Sequence, residues 1–148
     1  MLFRSTILSA YVAAGGTSTT NTTYTDITGL SVTLSANTTY IIHCWLNMTS
    51  SSSAGLQIGA TWPAGSTVGL NSRAPTTGVS AQTFFTITTS GALASGAIVT
   101  NTAAGNPVYF NGLVSVGATG GVFKVGYAKV TSGTATANFG SYLQAIQQ

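Results

Sequence analysis

Apolar residues fall on alternate positions over much of this chain and almost nowhere at helical spacing. Leu30, Val32 and Leu34 mark one face of a strand, and between 81 and 89 Phe85 and Ile87 fall on one side with Phe84 on the other. A period of two is the mark of a strand with one face buried. The run 39–48 (Thr-Tyr-Ile-Ile-His-Cys-Trp-Leu-Asn-Met) is apolar in both phases, which predicts a central strand covered on both faces. The same pattern predicts strands at 3–12, 55–62, 68–71, 108–116, 122–130 and 141–147, and a short one at 98–100. Residues 15–23 and 73–78 read as loops, the first too rich in Thr, Gly and Asn to pack. Trp62-Pro63-Ala64-Gly65 reads as a turn. Gly117-Ala118-Thr119-Gly120-Gly121 reads as the connection of a hairpin between runs 108–116 and 122–130.

About eight to ten strands at regular spacing predict an all-β, antiparallel sandwich or barrel. Two sheets ~10 Å apart have room for Tyr40, Trp45, Phe85, Phe110, Phe123 and Tyr142 between them. At 148 residues the chain is expected to form one globular domain: an N-terminal strand or arm with its polar loop at 1–23, then the main β domain at 24–148.

Composition narrows the chemistry. The permanently charged side chains are Arg4, Arg73, Lys124, Lys129 and Asp26, or 3% of the chain, and there is no Glu. A soluble domain typically carries ~25%. One acid cannot supply a catalytic carboxylate pair or a calcium cage, and one Cys with one His cannot complete a zinc site. The expectation is a protein that is not an enzyme and takes no cofactor or metal. The four bases are too few for a chain that neutralises ~6–10 phosphates, so nucleic acid is not an expected partner.

Mean hydropathy is +0.37, yet no run approaches 18 apolar residues, so no spanning helix is expected. A transmembrane β-barrel calls for aromatic girdles and a charged or polar lumen. The polar residues here are mostly Thr and Ser, which favours a sandwich and no membrane partner. The segment after Met1-Leu2-Phe3-Arg4 has the outline of a poor signal peptide. Ser5, Thr6 and Ser9 interrupt its apolar run, so it reads as a first strand. Cys44, the single cysteine, excludes an intrachain disulfide and is expected to pack as a small hydrophobe.

Several motifs are present only on paper. A Ser with His43 and Asp26 has the letters of a triad, but no Gly-x-Ser-x-Gly elbow accompanies it, and His43 is expected to be structural. His43 and Cys44 are strand neighbours and point to opposite faces, so they form no dyad. Asn21-Thr22-Thr23, Asn37-Thr38-Thr39 and Asn47-Met48-Thr49 match a glycosylation sequon, as chance allows in so Asn- and Thr-rich a chain. Thr86-x-Thr88 and Thr134-x-Thr136 recur at no solenoid period, so ice binding is not expected. Asp26, before Gly29, is read as a turn residue capping backbone N–H groups. A pairing with Arg4, Arg73, Lys124 or Lys129 is also open to it.

Two segments carry a resemblance. Thr23-Tyr24-Thr25-Asp26-Ile27-Thr28-Gly29-Leu30 continues through Ser31-Val32-Thr33-Leu34-Ser35-Ala36-Asn37-Thr38-Thr39-Tyr40. It resembles the opening of a jelly-roll module common in tailed-bacteriophage virion proteins. Near the end, Thr131-Ser132-Gly133-Thr134-Ala135-Thr136-Ala137 continues through Asn138-Phe139-Gly140-Ser141-Tyr142-Leu143 and resembles that module's closing strands. The likeness runs from about Tyr24 onward; nothing before Thr23 matches. It implies a jelly roll like that of tumour necrosis factor, assembled as a homotrimer. It also implies a place on the virion, after synthesis in the host cytoplasm. A short module with little upstream chain is most similar to a capsid decoration, or cement, protein, whose partners are copies of itself and the major capsid protein. In that setting Tyr127 and Tyr142 are expected to face the three-fold axis, and Met1, Leu2, Phe3 and Arg4 to touch the shell. The alternative is a tail-fibre tip or receptor-binding module, in which Trp62 would stack on a glycan.

Overall fold

The computed structural model describes residues 5–51, 54–75, 82–94 and 105–148. Two antiparallel sheets pack face to face as a sandwich. The strands are β1 (Ile7–Tyr11), β2 (Thr17–Thr19), β3 (Thr25–Leu34), β4 (Thr39–Ser50), β5 (Leu56–Thr61) and β6 (Thr67–Pro75). They continue with β7 (Gln82–Ile87), β8 (Asn106–Ser115), β9 (Gly121–Lys129), β10 (Ala135–Ala137) and β11 (Tyr142–Gln147). The large sheet runs β1-β11-β4-β8-β6-β7, with β10 on the far end of β4 and β2 beside β10; the small sheet runs β3-β9-β5.

Alternation decides which side chains enter the core. Leu30, Val32 and Leu34 point inward from β3, opposite Tyr40, Ile42, Cys44, Leu46 and Met48 of β4. Phe110 of the large sheet meets Phe123 of the small one, ring centres 6.4 Å apart and tilted. Each ring is fully buried, so the pair ties the sheets together through apolar area and ring–ring contact. Phe85 and Ile87 are buried while Phe84 is exposed, as their alternation predicts.

The structure corrects several expectations. Runs 108–116 and 122–130 do not form a hairpin. β8 lies in the large sheet between β4 and β6, and β9 lies in the small sheet between β3 and β5. The loop between them crosses the sandwich because the β3–β4 turn holds it: Asn37 N donates to Gly117 O at 2.8 Å, and Val116 N to Thr38 O at 2.9 Å. Gly120 passes so close to this turn that a Cβ would stand 2.7 Å from Leu34 O. Residues 15–23 are not wholly loop, since Thr17–Thr19 pairs with Ala135–Ala137. The expected loop at 73–78 does not begin at Arg73, since β6 runs on to Pro75; positions 76–78 lie outside the described residues. Trp45 and Tyr142 are not between the sheets but on the outward face of the large one. The expected strand at 98–100 lies outside the described residues.

β3 carries a bulge. Its register passes from Asp26↔Gly126 to Ser31↔Lys124, leaving 27–30 opposite Val125 alone. Gly29 absorbs it at φ +91°, and a Cβ there would stand 2.5 Å from Tyr11 O. The extra residues let both Ile27 and Leu30 point into the core.

Candidate functional site

The small sheet holds the chain's one acid. Asp26 is a strand residue rather than a turn cap, and its Oδ2 accepts from Lys124 Nζ at 2.6 Å. Its backbone partner is Gly126, so the ion pair runs diagonally to the neighbouring outward position. Nearly half of each side chain is exposed, which makes this a weak contributor to stability. The Tyr24 ring lies over Gly126, where any Cβ would run into it, and over the edge of Gly59. Burial pushes the Tyr24 hydroxyl well above the usual phenol value. The Thr61 hydroxyl works against that shift, and the Asp26 carboxylate adds to it.

His43 and Cys44 do point to opposite faces. The Cys44 thiol is buried, which raises it far above its ordinary value and makes it inert. His43 is exposed on the outward face, and its Nδ1 donates to Asn111 Oδ1 at 3.1 Å.

That outward face is where the register assembles a pattern. Residues directly opposite one another line up in rows across the strands. One row, from β1 to β7, reads Tyr11, Tyr142, Trp45, Tyr109, Arg73, Phe84. The next reads Ser9, Gln144, His43, Asn111, Asn71, Thr86. A third, from β1 to β6, reads Ile7, Ile146, Ile41, Leu113, Gly69. Beyond it Thr39, Ser115 and Thr67 align, with Thr39 Oγ1 donating to Ser115 Oγ at 3.1 Å. The face is thus banded: aromatic, amide and hydroxyl, aliphatic, hydroxyl.

The aromatic band is well exposed, with Tyr11 at 69%, Tyr142 at 41%, Tyr109 at 44% and Phe84 at 74% of full accessibility. Tyr142 and Trp45 stack, centroids 6.2 Å apart and planes 24° apart. Ile7 and Leu113 of the aliphatic band are exposed by half or more. Scattered surface apolar residues are ordinary; aligned rows of them make this face the candidate for an interaction surface. At the β8–β6–β7 end this face hollows into a groove of about 860 Å³, lined by Asn71, Arg73, Phe84, Asn106, Tyr109 and Asn111 among others.

The residues expected to act fare unequally. Tyr142 is on the outward face. Tyr127 is not available to a three-fold axis: it is 1% exposed, points into the sandwich, and shares a 3.4 Å hydroxyl contact with Thr17. Burial raises its hydroxyl, against the effect of Thr17. Trp62 is half-buried against the core just past β5, its N donating to Ser90 Oγ at 3.2 Å, and it stands apart from the aromatic row. Met1, Leu2, Phe3 and Arg4 lie outside the described residues. Tyr109, Phe84, Asn71 and Asn111 were not singled out from sequence. For Tyr109 and Phe84 the signal was an aromatic in the outer phase of its strand; Asn71 and Asn111 carried none. No family model matches the chain, and no match is found among curated proteins.

Proposed function

We propose that this chain is a structural protein of a virion, a capsid decoration protein that binds the outside of a phage head and stabilises it without doing chemistry. The observation that carries the proposal is the banded outward face on a chain that is only 3% charged. Such a face meets another surface with little electrostatic repulsion and little desolvation cost. It also serves a solitary monomer poorly, since solubility in isolation leans on charge.

The chain passes between the sheets at β2–β3, β3–β4, β4–β5, β5–β6, β8–β9 and β9–β10, a wrapping that supports a jelly roll. In this account three copies associate through the β1–β11–β4 side, where Tyr142, Tyr11 and Ile7 are exposed and the edge strand β1 needs cover. Met1, Leu2, Phe3 and Arg4 are assigned to the contact with the major capsid protein. Many modest contacts per head then add by multivalency. The likeness of segments 23–40 and 131–143 to phage virion modules supports a place on the virion.

Purified protein added to undecorated expanded heads tests this. Stoichiometric binding, with a rise in the melting temperature of the heads, is expected. Heads that melt unchanged and carry no added density would refute it. The alternative, a tail-fibre tip, predicts density on the tail and lost host adsorption when its glycan residue is changed.

A further inference from the structure

We propose that the groove at the β8–β6–β7 end of the outward face is a binding site for a neutral glycan chain. The proposal does not rest on head binding, and it moves any sugar platform from Trp62 to a different part of the fold. Tyr109 and Phe84 flank Arg73 directly across the strands, so the two rings stand about two strand spacings apart, ~10 Å. Both are well exposed and both line the groove. Exposed rings of this kind stack on the C–H faces of pyranoses, burying apolar area while sugar hydroxyls stay free.

Alongside runs the amide row. Thr86 Oγ1 donates to Asn71 Oδ1 at 3.2 Å, and His43 Nδ1 donates to Asn111 Oδ1 at 3.1 Å. Each amide carbonyl is thereby engaged and each ring or hydroxyl partner fixes its amide. The two NH2 groups, on residues directly opposite one another, are left as neighbouring donors. A strip of rings beside a strip of fixed amide donors matches the amphipathic character of a sugar chain. A peptide added as a strand would need an open strand edge; β8 and β6 are paired on each side, and the open edge of β7 lies beside the sheet rather than over the rings. Among the described residues Arg73 is the only charged one lining the groove, too little charge to hold a polyanion. The open groove admits the middle of a chain and not only its end.

The test is calorimetric titration of the intact protein with neutral hexasaccharides of α-linked glucose, β-linked glucose, mannose and N-acetylglucosamine. Hexagalacturonate serves as the acidic probe. At least one neutral probe is expected to bind saturably. Tyr109→Ala and Asn71→Ala should each weaken it about tenfold or more with unchanged circular dichroism and melting. Ile7→Ser, at the opposite side of the face, should leave the affinity per chain unchanged while loosening any association of copies. That separates failure of this site from failure of the trimer. No saturable binding of any neutral probe overturns the proposal. So does binding that survives both groove substitutions, or a preference for hexagalacturonate.

Discussion

Tyr142→Ala separates what the outward face does for the fold from what it does for assembly. Within one protomer Tyr142 stacks on Trp45 and pairs with Tyr11 on the other side. Losing that stacking costs about 0.5–1.5 kcal/mol beyond area burial. The side chain leaves 41% of itself exposed, or about 80 Å² of a tyrosine's roughly 200 Å². Covering that area in a subunit contact contributes about 2 kcal/mol at ~25 cal/mol/Å². Each contact should therefore weaken by about thirtyfold, and a closed trimer has three of them. Sedimentation velocity over a dilution series reads this directly, with thermal unfolding of the dissociated chain as the measure of fold damage. The variant should dissociate at much higher concentration than the parent while remaining folded. Tyr127→Phe is the control: that residue is buried, and losing its hydroxyl should leave association untouched. A Tyr142→Ala protein that associates as tightly as the parent would refute the placement of the contact.

The core and the charges make further predictions. Phe110→Ala removes a fully buried ring that bridges the sheets, and denaturant unfolding should show a loss of about 3–5 kcal/mol. Asp26→Asn breaks the exposed ion pair with Lys124 and should cost less than about 1 kcal/mol by the same measurement. Burial raises the Cys44 thiol in the folded chain, so above its ordinary value of 9.0 the unfolded chain releases the proton first. Stability should then fall as pH climbs from about 9 toward the raised folded value, and Cys44→Ala should flatten that fall. Tyr24 and Tyr127 act in the same direction from about pH 10 upward, so part of the slope should remain in the variant.

Facing was legible in the sequence wherever alternation was clean. Leu30, Val32 and Leu34 go inward, Phe84 goes out while Phe85 goes in, and His43 and Cys44 part to opposite faces. Pairing was not legible. The Gly117–Gly121 loop has hairpin length, but bonds of Gly117 and Val116 to Asn37 and Thr38, far off in sequence, carry it across to the other sheet. Thr17–Thr19 and Ala135–Ala137 are too short and small-chained to show a period, though Ala135 and Ala137 are fully buried. The aromatic and amide rows depend on register among six strands, which no local pattern encodes. Even so, the doubly apolar run 39–48 carried half the signal: β4 is central, as expected, but its second apolar face is the outward one with Trp45 and Ile41. Tyr127 and Tyr142 show the same limit, since only the bulged pairing with β3 and the stacking on Trp45 reveal which of them faces out.

The central claim is that this nearly uncharged sandwich covers its banded face by association. Native mass spectrometry of the purified chain at micromolar concentration tests that claim most directly. The account predicts a dominant species of three times the 14.9 kDa chain mass, which falls apart on Tyr142→Ala. A clean monomer under those conditions would contradict it.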